Sequence, residues 1–182
     1  MLNVIIFIIM LPFLGGAIYA LYESQEGNFH EITKGEAYRS AQLTGDELRQ
    51  CIKDYHIKSI LNLRGRMPDE RWYKEELQVS EEAAVRHYDL TLSAYSELSV
   101  ENARTLTELF KTAPRPILIH CQAGADRSGL VAAMWKVLVD KESKTEAGKQ
   151  LSILYGHLPL GPPSAMDRFF DKWFPEEMAA VK

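Results

Sequence analysis

The chain predicts an α/β protein in which a mostly parallel central sheet is flanked by helices and preceded by an N-terminal transmembrane helix. Three observations carry that prediction. Segments with strand character and segments with helical periodicity alternate along most of residues 31–182, the pattern of parallel strands joined by helical crossovers. The stretch from Pro116 to Gly129 runs from an apolar β-rich segment through a loop of mostly small residues into a helical pattern at Leu130. Met1 to Tyr22 contains no charged side chain, and about 20 apolar residues at 1.5 Å rise suffice to cross a hydrocarbon core of roughly 30 Å.

Taken in order, residues 1–22 are expected to be a membrane anchor, with Pro12, Gly15 and Gly16 tolerated in a helix of that kind. A cleaved signal segment is the competing reading. Gly15, Ala17 and Ala20 offer processing positions, but no Lys or Arg precedes the apolar run. The first cations after it are Lys34 and Arg39, so the positive-inside count offers nothing against a catalytic domain outside the cytoplasm, which is the topology expected here. Residues 23–30 read as a polar linker, and 31–182 as the catalytic domain. Phe29–Thr33 and Ala37–Ser40 suggest two short strands around the turn Lys34-Gly35-Glu36. Thr44-Gly45-Asp46-Glu47 is a capping box for a helix to Tyr55. Cys51 lies on that helix as a small core residue.

A buried strand is expected over Ile57–Leu63, a charged helix from Asp69 to Ala84, and a second strand over Val85–Leu92. Ser99 caps a helix through Ala113, and the prolines at 114 and 116 stop it before the strand that delivers Cys121. A helix follows over 129–141. Ser143-Lys144-Thr145-Glu146 is a further capping box, read as opening a helix to Gly156, and Ser164 caps a last helix through Trp173. Trp135, Phe169, Phe170 and Trp173 fall at helical spacing and are assigned to the core. In a parallel sheet ligands sit outside the carboxyl ends of the strands, so Arg64, Ser93 and Cys121 should converge.

The 182 residues allow one domain with a sizeable core plus an appendage. A net charge of −4 provides no basic field for nucleic acid, which is not expected as a partner. Two cysteines, Cys51 and Cys121, make no disulfide framework. The five histidines show no metal-ligand spacing, and neither a metal nor a cofactor is implied.

Chemistry is concentrated in His120-Cys121-Gln122-Ala123-Gly124-Ala125-Asp126-Arg127-Ser128-Gly129. Small residues between a cysteine and an arginine let backbone N–H groups turn inward around an anion, and a helix N-terminus adds unpaired donors and a positive dipole end. Gln122, Ala123, Gly124, Ala125 and Gly129 are thus phosphate-binding candidates. A cysteine at a helix N-terminus beside a cation is acidified and becomes a thiolate nucleophile. Arg127 supplies a planar fork for two phosphoryl oxygens, which lysine cannot copy. His120 is placed to orient the loop by hydrogen bonding.

The motif His-Cys-x-x-Gly-x-x-Arg-Ser-Gly resembles the signature of the cysteine-dependent protein tyrosine phosphatases, whose small members are the dual-specificity phosphatases. Ala37-Tyr38-Arg39-Ser40-Ala41-Gln42 and Leu61-Asn62-Leu63-Arg64 resemble their bacterial branch. A rhodanese-like sulfurtransferase also opens a six-residue loop with cysteine, but Ser128 argues for the phosphatases. The resemblance implies a dual-specificity-type fold and a phosphocysteine intermediate, with Cys121 as nucleophile, Arg127 as clamp and Ser128 easing thiolate departure. It implies a phosphorylated protein or a small phosphomonoester as substrate. Lipid or sugar phosphates are alternatives, as is a phosphate-binding module without turnover. The usual acid of the superfamily, an aspartate after the second strand, has no counterpart in Leu92-Ser93-Ala94-Tyr95-Ser96-Glu97. Some bacterial relatives instead carry the acid just before the loop arginine, which points to Asp126. Asp89 and Glu97 stay open as acids. Arg64 is a candidate substrate contact, and Arg39 is weighed in the same way, each against a plain salt bridge. Where those relatives have lysine, this chain has Ala125, which speaks against phosphoinositides.

Overall fold

The computed structural model describes residues 27–161 and 164–174. The segment 1–22 lies outside them. Among the described residues no helix is long and apolar enough to cross a membrane.

Five strands form one sheet in the order β1-β2-β5-β3-β4. β1 (His30–Thr33) and β2 (Ala37–Ser40) are antiparallel, joined by the turn at Gly35, and β2 then pairs in parallel with β5 (Ile117–His120). β3 (Ser59–Asn62) lies parallel to both β5 and β4 (Arg86–Asp89). The sheet is therefore mixed, with one antiparallel edge strand on a parallel body. Sequence-distant strands sit at its centre because parallel neighbours need a crossover, and helices supply it.

The helices divide between the two faces according to the two-residue period of the strands. Ile117 and Ile119 of β5, with Leu61 and Leu63, face one core. It is closed by Leu106 and Phe110 of α3 (Val100–Thr112), by Leu130 to Trp135 of α4 (Asp126–Leu138), and by Met166 and Phe170 of α6 (Ala165–Lys172). Leu118 and Ile60 face the other core with Leu48 and Cys51 of α1 (Gly45–Tyr55) and Val79 of α2 (Arg71–Glu82). The capping box at Thr44 and Glu47 forms as expected, and the Ser99 side chain accepts from Asn102 N. Burial pushes the Cys51 thiol up to about 12, which fits a packed residue with no part in the chemistry.

Several boundaries differ from the sequence expectation. The linker ends earlier than residue 30, because Asn28 is buried and Phe29 stacks on Tyr38. Ser143 does accept from Glu146 N, but α5 (Lys144–Ala147) is a single turn followed by two 3-10 turns, Gly148–Gln150 and Ile153–Tyr155. The Gln150 carbonyl accepts from Arg39 Nη1 at 2.7 Å, so a buried guanidinium takes the bond that a helical N–H would have made. At Ser164 the hydroxyl does not cap α6; it donates to Gly161 O and accepts from Arg168.

Candidate active site

The strand register aligns Ser40, His120, Asn62 and Asp89 in one row at the carboxyl end of the sheet. Immediately beyond it, Arg127 Nη1 reaches Leu63 O at 3.4 Å and Leu92 O at 3.3 Å, so the chain ends after β3, β4 and β5 do converge. Cys121 is 2 % exposed, at the point where β5 becomes loop. The α4 helix begins at Asp126, earlier than the helical periodicity suggested, which places Asp126, Arg127 and Ser128 in its first turn.

The loop has two faces of opposite hydrogen-bonding character. Its carbonyls are taken: Gln122 O by Gln42 N, Ala123 O by Asn28 Nδ2, Gly124 O and Ala125 O by Arg39 Nη2. Among the described residues, the backbone N–H groups of Gln122 to Ser128 donate to no protein acceptor. A run of free donors at a helix N-terminus, on a backbone whose carbonyls are held elsewhere, is a nest for an anion. Gly124 is required for this shape. It has φ +70, and a Cβ there would lie 2.6 Å from Ala41 N.

Gly129 serves differently from the other candidates. Its N–H donates to Ala125 O, and its missing side chain leaves room for Arg39 and Gln150, each 3.0 Å from where a Cβ would stand. Arg39 is a fully buried brace rather than a substrate contact, and burial lowers its guanidinium to about 10, against the pull of nearby Cys121, Tyr155 and Asp126.

Ser128 Oγ lies 3.5 Å from Cys121 Sγ. Arg127 keeps a buried Nε without a partner, a donor that a bound oxyanion would satisfy. Arg64 stacks on Trp72, 3.6 Å from the ring centroid, and donates from Nη1 to Gln42 at 3.0 Å. Burial lowers the Arg64 guanidinium, and so does neighbouring Arg127. Two guanidinium groups thus flank one side of the nest.

Beneath the loop, His120 Nε2 contacts the Glu76 carboxylate at 3.2 Å, while His87 Nε2 and Gln42 Nε2 hold the same group at 2.8 and 2.6 Å. Burial alone would raise the Glu76 carboxyl, but the charge and hydrogen bonds of His120, with those of His87 and Gln42, hold it well below the usual carboxylate range. His120 is thus held by Glu76, which sequence reasoning did not single out, and its buried Nδ1 makes no hydrogen bond to the loop. No apolar period marks a buried glutamate on an otherwise polar helix.

The three candidate acids separate clearly. Asp89 has both oxygens engaged, by Asn62 Nδ2 and by Tyr73 OH. Glu97 is paired with Lys172 and Arg168 of α6. Asp126 borders the nest, 24 % exposed at its side chain, with Oδ1 2.7 Å from His157 Nδ1. Its Oδ2 takes no bond from the described residues.

A thiol seated at the edge of an oxyanion nest, with a hydroxyl and a forked cation beside it, defines a cysteine-dependent phosphatase. The chain matches the Tyrosine phosphatase family over residues 14–145, and it belongs to that family. No curated protein matches it. Its fold is similar to that of P. aeruginosa TpbA, determined as a cysteine-to-serine variant in complex with phosphotyrosine (19 % identity, 84 % of this chain and 88 % of that chain covered, TM-score 0.67). It is also similar to the core catalytic domain of the PP-IP phosphatase SIW14 from S. cerevisiae (20 %, 85 % and 90 %, TM-score 0.66). Kinase associated phosphatase, with its catalytic-site cysteine replaced by serine, is a third (19 %, 85 % and 96 %, TM-score 0.63).

Proposed function

We propose that the protein is a phosphotyrosine-directed protein phosphatase, tethered to a membrane by residues 1–22, in which Asp126 handles the proton of the leaving group. The observation that carries the chemistry is the set of free N–H groups from Gln122 to Ser128 around Cys121. The Cys121 thiolate attacks phosphorus in line, while these donors and Arg127 hold the equatorial oxygens, whose negative charge spreads in the transition state. The P–O bond electrons pass to the leaving oxygen, which takes a proton from Asp126. Water then attacks the phosphocysteine and returns a proton to Asp126, and the P–S electrons return to sulfur, where the Ser128 hydroxyl stabilises the departing thiolate. Arg64, stacked on Trp72, would contact the substrate beyond its phosphate.

The phosphotyrosine complex of TpbA supports this substrate class by likeness of fold. Lipid and sugar phosphates are the competitors, to be separated by a substrate panel. For the proton, Asp126→Asn should slow phosphotyrosine cleavage by roughly 10²–10⁴-fold while sparing highly activated aryl phosphates. An equal loss on every substrate would demote Asp126 to a loop-shaping residue, and Asp89→Asn should show neither signature.

The tether is supported by the uncharged run at 1–22. Gly27 O accepts from Ala41 N, and Asn28 bonds Ala123 O in the loop, so residues 27 and 28 lie beside the nucleophile. The full chain should resist alkaline carbonate extraction, whereas a mature N-terminus between Ala17 and Glu23 would establish a cleaved signal. A C-terminal reporter active only outside the cytoplasm would support the proposed extracytoplasmic orientation.

A further inference from the structure

His157 is fully buried, yet both of its ring nitrogens face carboxylates: Nδ1 lies 2.7 Å from Asp126 Oδ1 and Nε2 lies 3.0 Å from Asp167 Oδ2. An ionised carboxylate only accepts, as does Oδ1 of an Asp126 whose proton sits on Oδ2, and a neutral imidazole has a single N–H, so with Asp167 ionised both contacts are hydrogen bonds only when the ring is an imidazolium. The histidine stands in the connection after the Ile153–Tyr155 turn, with Asp126 in the first turn of α4 and Asp167 on α6. Its backbone N–H is held by Ser152 O. Arg39 from β2, stacked on Tyr155 at 4.5 Å, Tyr155 itself, and His30, edge-on to the Tyr155 ring at 4.8 Å, are further titratable groups at this corner. Burial works against a charged His157, but the hydrogen bonds and charges of Asp126 and Asp167 prevail and raise it.

We propose that the His157 imidazolium is a positioning residue for the reaction: anchored on Asp167, it fixes Asp126 through Oδ1 and so turns Oδ2, which has no partner of its own, toward the leaving oxygen. The inference rests on Asp126 being the proton donor. During the step the proton leaves Oδ2 for the leaving oxygen as the P–O bond breaks, and His157 keeps both of its protons throughout. When His157 is deprotonated it can serve only one carboxylate, and the orientation of Asp126 is lost. The arrangement thereby ties α6, far along the chain, to the chemistry at the loop.

The test uses pH profiles of kcat for the full chain with phosphotyrosine and with an activated aryl phosphate. For phosphotyrosine the wild-type decline should steepen as His157 loses its proton, above about 6.5, the ordinary histidine value. The aryl phosphate should not show this. His157→Asn can place an amide N–H near the position of Nδ1, so it should retain much of the phosphotyrosine activity in acid and lose the alkaline steepening. His157→Gln presents its amide nearer the Asp167 side, and phosphotyrosine turnover should fall toward that of Asp126→Asn, about 10²–10⁴-fold below wild type, with aryl turnover spared. Unchanged alkaline behaviour in His157→Asn would overturn the proposal. So would a nitrogen NMR spectrum of the wild-type imidazole at neutral pH showing only one protonated nitrogen, a measurement that needs no variant to fold. If instead Asp126→Asn fails to discriminate between leaving groups, it is the acid assignment that falls.

Discussion

The inner and outer faces of the phosphate loop are built from different parts of the chain. The inner face, with Cys121, Arg127 and the N–H groups from Gln122 to Ser128, comes from one continuous stretch. The outer face is held by Asn28, Arg39 and Gln42, residues that lie far away in sequence and reach the loop carbonyls across β2. An anion nest works only if its amides stay turned inward without a ligand, and like charges or dipoles brought together resist that. The remote braces keep the peptide planes turned, so the inner face supplies chemistry and the outer face supplies its preorganisation.

Substitutions on the two faces should therefore fail in different ways. The largest effect belongs to Cys121→Ser: turnover should vanish while phosphate or vanadate still binds by calorimetry, because the nest is made of backbone. Residual turnover would refute the phosphocysteine route. Arg127→Lys comes next, with kcat reduced by about 10²–10³-fold, the usual loss when one oxyanion donor is removed, since a point charge does not reproduce the fork. Stability should change little, as its bonds to Leu63 O and Leu92 O are long.

Arg39→Met tests the outer face and should show the converse. The buried carbonyls of Gly124 and Ala125 lose their donor, at roughly 1–3 kcal/mol for each group left unsatisfied, and the part-buried carbonyl of Gln150 loses its donor as well. A clear drop in melting temperature accompanied by weaker phosphate binding is expected. Full stability with normal binding would show that the loop holds its shape unaided.

The smallest effect concerns pH. His157 is raised in the folded protein, so the stabilisation from its pairs with Asp126 and Asp167 is complete below the ordinary value of 6.5 and is lost as pH rises through the elevated folded value. The melting temperature should decline on that alkaline side by about 2–4 °C for each kcal/mol of pairing lost. The decline should be absent in His157→Gln, as thermal melts across the range will show.

Much of the fold and the inner face was legible in the sequence, because both are written in short-range pattern. Capping residues at Thr44 and Ser99, the short apolar run Ile117-Leu118-Ile119, and a cysteine six positions before an arginine each act over a few residues. The helix that the Ser143 capping box predicts to Gly156 stops after Ala147, where a local helical pattern yields to a distant guanidinium at Gln150. Arg39, Asn28, Glu76 and His157 carry no local sign of their roles. A buried polar side chain is defined by the partner that satisfies it, and only folding brings that partner within reach. Short-range pattern thus determined where the nucleophile and its phosphate nest would form. Tertiary structure decided which carboxylate stands beside them, because Asp89, Glu97 and Asp126 are alike as residues and differ only in which of their oxygens the rest of the chain has already taken.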